Sequence, residues 1–400
     1  MAFQPRSLSS SNLLPNFALA GRICLTSIKN NAFRESNITS IQLSNNMRRV
    51  ERFAFYHCSL LTKVIIPSSI NKIEEGAFDR CYSLRQLIFE DGSYELEFDE
   101  SCHKPFFSGC PLEEIYIGRN ITHFITEYCM FGDLSNLNKV TIGESVIVIP
   151  SYCFANATNL SNISIPGNIK TIREAAFNSC TGLKYIEFQD SPNPIMMYQS
   201  TIGSTNYTGA VVNYSIFSQS PVQEVYIGRN FSENTHYYHK NDITLEYLPL
   251  TKVTIGKYVT ELTSLNGCRD LLSISIPSNV KTIKNFKLCT GLRKVIVDSN
   301  IPPAAIRFSD ETYVHGVLYV PKESIETYAE TTPWSSFWEI NNISYAGIDD
   351  IKCDIYDSEY IGPLYTISGI LLLKHCSKND LKKFTKGFYI WKDRIIQLNN

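Results

Sequence analysis

Two stretches, LTKVIIPSSINKIEEGAFDRC at 61–81 and LSNISIPGNIKTIREAAFNSC at 160–180, carry the same residue types at the same places. A chain that repeats itself at a fixed period folds by stacking the copies, so this feature constrains the architecture before any other. The frame is Leu-x-x-Ile-x-Ile, with Val, Leu or Phe allowed at each apolar place. It begins at Ile38, Leu61, Leu84, Leu112, Leu137, Leu160, Leu183, Val222, Leu250, Leu271 and Leu292, eleven copies in all. The spacing is 23 residues from 38 to 61 to 84, and again from 137 to 160 to 183.

Each place in the frame has a physical reading. Ile-x-Ile alternates with period 2, so both side chains point to one face of a short strand. The next residue is Pro67, Pro166 or Pro277, or Gly118, Gly143, Gly228 or Gly256. Proline lacks the N–H that a ladder needs and glycine permits turn dihedrals, so the strand ends there. A second apolar place follows, as at Ile73 and Ile172, and then Ala-Phe, as at 54–55, 77–78 and 176–177. Cys58, Cys81, Cys110 and Cys180 stand three residues beyond the Phe; Cys268 and Cys289 fill the same slot behind Leu265 and Phe286. One copy buries too little apolar surface to offset the ordering of its own backbone. Neighbouring copies must supply the rest, so the chain predicts a solenoid with parallel strands about 4.8 Å apart and internal Phe and Cys ladders.

At 61–81 and 160–180 the pattern Leu-x-x-Ile-x-Ile-Pro, then an apolar pair, then Ala-Phe-x-x-Cys resembles the BspA-type leucine-rich repeat family. The resemblance covers about 38–297. It implies a leucine-rich repeat horseshoe, mainly β, with a small C-terminal cap and tail. It also implies a bacterial surface or secreted protein, of a family several of whose members are linked to adhesion and to binding proteins of host or neighbouring cells.

A longer period lies above the first. EEIYIGRN at 113–120 returns as QEVYIGRN at 223–230, and LNKVTIG at 137 returns as LTKVTIG at 250. Four repeats therefore form a super-repeat of about 100–110 residues. Insertions at 90–106 and 189–215 fall at the same phase, which predicts that both leave the same edge of the solenoid. The organisation expected is an N-terminal segment with a partial first repeat at 1–37, repeats at 38–297, a cap at 298–343 and a small β-rich tail at 344–400. In the cap, a strand at Val317–Val320 precedes an amphipathic helix at Lys322–Thr331, and Trp334, Phe337 and Trp338 are expected to cover the last coil. In the tail, LYTISGILLLKHC and GFYIWKDRIIQL read as strands around a short helix from Ser377 to Phe384, with Ser377 as its cap.

The net charge of −2 provides no field that would gather nucleic acid. No apolar run is long enough to cross a membrane. The opening segment, MAFQPRSLSSSNLLPNFALAGRIC, makes a poor secretory leader, and a repeat is already under way at Ala32-Phe33. The expectation is a start upstream of this sequence and a secreted or cell-surface location.

Chemistry is sparse. The twelve cysteines contain no Cys-x-x-Cys, and six of them occupy the ladder slot, where parallel Cβ vectors disfavour bridging. They are read as buried free thiols acting as small hydrophobes; Cys102 and Cys110, at one end of an insertion, form the only pair considered for a disulfide. His236 and His239, with Glu233 and Asp242, are read as a solvated loop rather than a metal site. Asp349, Asp350, Asp354 and Asp357 lack the glycine and spacing of a calcium loop. No nucleophile elbow or phosphate loop occurs. No cofactor and no catalytic residue are expected.

What remains is aromatic: Tyr94, Phe98, Phe106 and Phe107, then Tyr198, Tyr207 and Tyr214, then Phe231, Tyr237, Tyr238 and Tyr247. These rings either pack the insertions onto the solenoid or form a ligand surface. The candidate contacts are Tyr237, Tyr238, Tyr198, Tyr207 and Tyr214. The functional expectation is a non-enzymatic binding or adhesion scaffold for a protein or glycan. The alternatives are a glycan-active or metal-dependent enzyme using an insertion pocket, and a structural spacer.

Overall fold

The computed structural model describes residues 16–18, 25–99, 106–121, 130–198, 200–205, 211–232, 245–346, 362–366, 371–376, 387–391 and 394–398. It divides into two compact units, Met1–Ile343 and Ser344–Asn400.

The first unit is a solenoid. Its main row of parallel strands contains Asn16–Ala18, Ser40–Gln42, Lys63–Ile66, Gln86–Phe89, Glu114–Ile117 and Lys139–Ile142 in one ladder. Asn162–Ile165, Tyr185–Phe188, Glu224–Ile227 and Lys252–Ile255 form a second ladder. Ser273–Ile276, Lys294–Val297, Val317–Val320 and Glu339–Asn342 form a third. Register follows the repeat frame, with Ile163 opposite Ile186 and Ile165 opposite Phe188. Both Ile residues are buried, while Ser164 between them faces outward. The repeat begins earlier than the frame alone indicated and continues through two cap strands.

Strands of two or three residues on a second row follow the turn that closes the main strands. Arg49–Val50, Lys72–Ile73 and Glu97–Phe98 pair in parallel there, as do Val148–Ile149, Thr171–Ile172 and Ile195–Met197. Beyond them the backbone enters the left-handed region twice, four residues apart, at Phe53 and His57, Gly76 and Arg80, Tyr152 and Asn156, and Ala175 and Ser179. That double turn brackets Ala-Phe, or Cys153-Phe154 in the coil of Tyr152, and aims the ring inward. The rings stack coil on coil, with centroids 5.2 Å apart for Phe33–Phe55, 5.0 Å for Phe55–Phe78 and 5.6 Å for Phe78–Phe107. Phe98, Phe106, Phe107 and Phe231 all belong to this core, so the packing reading holds for them.

The cysteines do more than fill space. Cys58, Cys81, Cys110, Cys180, Cys268 and Cys289 are free and buried. Each thiol donates to the carbonyl of the Phe-slot residue one coil back: Cys58 to Phe33 at 3.0 Å, Cys81 to Phe55 at 3.3 Å, Cys110 to Phe78 at 3.1 Å and Cys180 to Phe154 at 3.1 Å. Cys268 and Cys289 do the same to Leu245 and Leu265. Where the slot holds Ser220, its hydroxyl donates to Phe177 at 2.6 Å. In other coils Leu134, Ala157 and Leu248 fill the slot, so it takes a buried apolar residue or a small donor; the thiols are buried and free as expected, with a hydrogen bond added.

The cap adds a helix that the sequence reading lacked, Asp310–His315, whose first turn is closed by the Ser309 hydroxyl accepting from the Thr312 N–H. The expected helix runs as a 3-10 turn at Lys322–Ser324 and an α-helix at Ile325–Glu330. Trp334 and Phe337 cover the last coil, Trp334 donating from Nε1 to the Pro303 carbonyl at 2.9 Å. Trp338 does not: it is 70% exposed. In the second unit, Gly362–Thr366, Leu371–Cys376, Gly387–Trp391 and Arg394–Leu398 form an antiparallel sheet in which Gly362–Thr366 and Gly387–Trp391 are central. The helix expected at 377–384 lies outside the described residues.

Candidate functional site

Alternation leaves one side chain of each main-row pair outside the core. These outward positions form a mostly polar face that also carries Ile65, Ile88 and Ile296, and four are tyrosines: Tyr116, Tyr185, Tyr226 and Tyr319. Its best-developed part lies on the second ladder. Ser164 donates to Glu187 at 2.6 Å and accepts from Gln189 Nε2 at 2.9 Å. Tyr226 donates to Asp190 Oδ1 at 2.8 Å, and Lys252 pairs with Glu224 at 3.2 Å. Tyr185 stands among these groups, its hydroxyl pushed above its ordinary range by burial and by the carboxylates of Glu187 and Glu224. Tyr226 is pushed up to about 12 by burial and by its bond to Asp190.

The first super-repeat holds an equivalent arrangement. Tyr116 donates to Asp91 Oδ1 at 2.7 Å, and that bond pushes it up to about 12. The glycines of Tyr-Ile-Gly explain why the arrangement recurs. A Cβ on Gly118 would sit 2.5 Å from the Asp91 nitrogen, and one on Gly228 2.5 Å from that of Asp190. Both coils need bare backbone there for the insertion to begin.

In the turns just past the strands of Tyr116 and Tyr226 stand two fully buried arginines. Arg119 donates to the carbonyls of Ser68 and Pro67 at 2.8 and 3.0 Å. Arg229 donates to Gly167, Ile169 and Pro166 at 2.8–2.9 Å. Burial pulls both guanidinium groups down to about 10. Each clamps its own coil to the proline turn two coils earlier.

The sequence-predicted contacts are only partly described. Tyr198 is half-buried, its N–H donating to the Ile172 carbonyl at 2.8 Å. Tyr214 ends the strand Val211–Tyr214, which pairs antiparallel with Ser200–Thr205. Tyr207, Tyr237, Tyr238, His236, His239, Glu233 and Asp242 lie outside the described residues, as do Cys102 and Asp349, Asp350, Asp354 and Asp357. The sheet-face tyrosines were not among the expected contacts: Tyr116, Tyr226 and Tyr319 hold the middle place of the apolar-x-apolar pair and Tyr185 stands one residue before Ile186, both outward places under period-2 alternation.

Stacked parallel coils with a short strand, a turn and an inward Ala-Phe define a leucine-rich repeat solenoid. A model of the BspA type leucine rich repeat region matches residues 9–129, 100–211 and 200–305, and the chain belongs to that family. No curated protein matches it. Among solved structures, a leucine-rich repeat protein from Bacteroides ovatus is 20% identical, with 76% of this chain and 84% of that one covered and a TM-score of 0.34. A leucine rich cell surface protein from Faecalibacterium prausnitzii is 16% identical, covering 83% of this chain and 88% of that one at a TM-score of 0.32. A leucine-rich repeat protein of T. pallidum is 19% identical, covering 58% of this chain and 78% of that one at a TM-score of 0.27.

Proposed function

We propose that this chain is a non-enzymatic binding scaffold at the cell surface. It recognises a protein or glycan through the outward face of the main strand row, with the insertion loops alongside. The observation carrying this reading is the face around Tyr185, Glu187, Glu224 and Tyr226. It offers aromatic surface next to a hydrogen-bonded polar network, held on rigid strands rather than on loops. Membership of a family associated with bacterial surfaces supports the location. The low net charge argues that partner choice rests on shape, stacking and hydrogen bonds rather than on long-range attraction.

The test is an array of glycans and of extracellular proteins from host and neighbouring cells, probed with the intact chain. Saturable binding to one class supports the scaffold reading. Silence across both classes at micromolar concentration sinks it and leaves the structural spacer.

A further inference from the structure

The main ladder is interrupted at places set by the super-repeat, and the interruptions have a sequence cause. In most coils the residue leaving the main strand donates its N–H to the last strand residue of the previous coil. Glu90 donates to Ile66, Gly118 to Phe89, Gly143 to Ile117, Gln189 to Ile165, Gly228 to Phe188, Gly256 to Ile227 and Asp298 to Ile276, all at 2.7–3.0 Å. Pro67, Pro166 and Pro277 stand at this place and have no N–H to give. In these three coils pairing to the preceding strand weakens, whereas Val317–Val320, which runs into Pro321, keeps three pairs with Lys294–Val297. Ser40–Gln42 meets Lys63–Ile66 through the single pair Ser40↔Lys63. No ladder joins Lys139–Ile142 to Asn162–Ile165, or Lys252–Ile255 to Ser273–Ile276.

The internal stack continues across these junctions: Phe154 and Phe177 stack at 5.4 Å across the first, and Leu265 and Phe286 are both fully buried at the second. Three kinds of contact still cross each junction. One is the second strand row, where Val148–Ile149 pairs with Thr171–Ile172 and Glu261–Leu262 with Thr282–Ile283. Another is the slot turn, where the Phe154 N–H donates to the Ala176 carbonyl at 2.9 Å, the Leu265 N–H to that of Asn285 at 3.2 Å, and the Cys180 and Cys289 thiols to Phe154 and Leu265. The third is an asparagine side chain: Asn168 Nδ2 donates to the Gly143 and Val146 carbonyls, and Asn279 Nδ2 to those of Gly256 and Val259. Within the blocks the opposite holds. Arg119 and Arg229 lock each proline coil to the coil two further on.

We infer that the solenoid consists of rigid blocks joined by two hinges, at 143–161 and 256–272. The outward face opens and closes at these hinges while the second strand row and the slot turns together act as the pivot. Ile165-Pro166 and Ile276-Pro277 mark the two hinges, and the buried arginines Arg119 and Arg229 each stiffen a block. A partner spanning Tyr116 and Tyr185 crosses the first hinge, so the device sets how far apart those rings stand.

Hydrogen exchange of the intact chain, followed by mass spectrometry, tests this. Backbone amides of Asn162–Ile165 and Ser273–Ile276 should exchange at least about tenfold faster than those of Tyr185–Phe188 and Glu224–Ile227, which sit within a block. Uniform protection along the main row would overturn the proposal. A Pro166→Gln variant, copying Gln189, restores a donor at the first junction. It should slow exchange at Asn162–Ile165 and leave Ser273–Ile276 unchanged. A folded variant whose first junction exchanges as fast as before would overturn the assigned cause.

Discussion

At the scale of single residues, the cysteine slot shows how a repeat chooses its side chains. The place is too small for a ring and lies against a carbonyl that already accepts from its own turn, as Phe154 does from Ala157. A thiol adds a second donor without a large desolvation cost. Cys180→Ala should therefore lower stability by roughly 1–2 kcal/mol in a denaturant melt, while Cys180→Ser should recover part of that loss, as Ser220 does naturally. Equal losses for the two variants would show that volume alone matters. The same burial sets a pH limit. It pushes Cys58 and Cys289 from the ordinary 9.0 up to about 11, and Cys180 up to about 12. Because the folded values are raised, the unfolded chain loses these protons first. Stability from the thiols is complete below pH 9 and falls as pH rises from about 9 through 11–12. Thermal melts across pH 8–11 should show the midpoint dropping above pH 9, and a variant with Cys58, Cys180 and Cys289 all changed to Ser should drop less.

At the scale of the element, the short strands were legible because period-2 alternation and a terminal Pro or Gly admit few other readings. Ile165 lies at the centre of that logic, fully buried opposite Phe188. Ile165→Asp puts an unpaired charge into the stack and should cost at least about 4 kcal/mol or prevent folding. A wild-type melting curve would refute the register. The buried arginines were not legible. In EEIYIGRN the arginine reads as an exposed turn residue, and only the coil two places back, whose turn carbonyls need donors, reveals its role. Arg229→Lys keeps the charge but loses the fork that reaches three carbonyls. It should destabilise by roughly 2–3 kcal/mol, read as an earlier urea midpoint. An unchanged midpoint would mean that the guanidinium is not a clamp. The cap illustrates a partial reading: its strand and Trp334 followed from apolar patterning. Trp338 broke the expectation because the chain enters the strand Glu339–Asn342 immediately after it, leaving the ring outside.

At the scale of the whole molecule, the repeat fixed the fold and the super-repeat fixed where its ladders break. The candidate surface was only half-visible. Sequence locates the outward residue of each strand, but not which outward residues gather: Tyr185, Glu187, Glu224 and Tyr226 come from strands separated by a long insertion. That gathering is the central functional claim, and one comparison tests it. The partner recovered from the array is titrated by surface plasmon resonance against the wild type, against Tyr185→Ala with Tyr226→Ala, and against Tyr237→Ala with Tyr238→Ala. The account predicts that the sheet-face double variant keeps its melting temperature and loses affinity by about 2 kcal/mol or more, roughly thirtyfold, while the loop double variant loses less. Wild-type affinity in a folded sheet-face variant would contradict it.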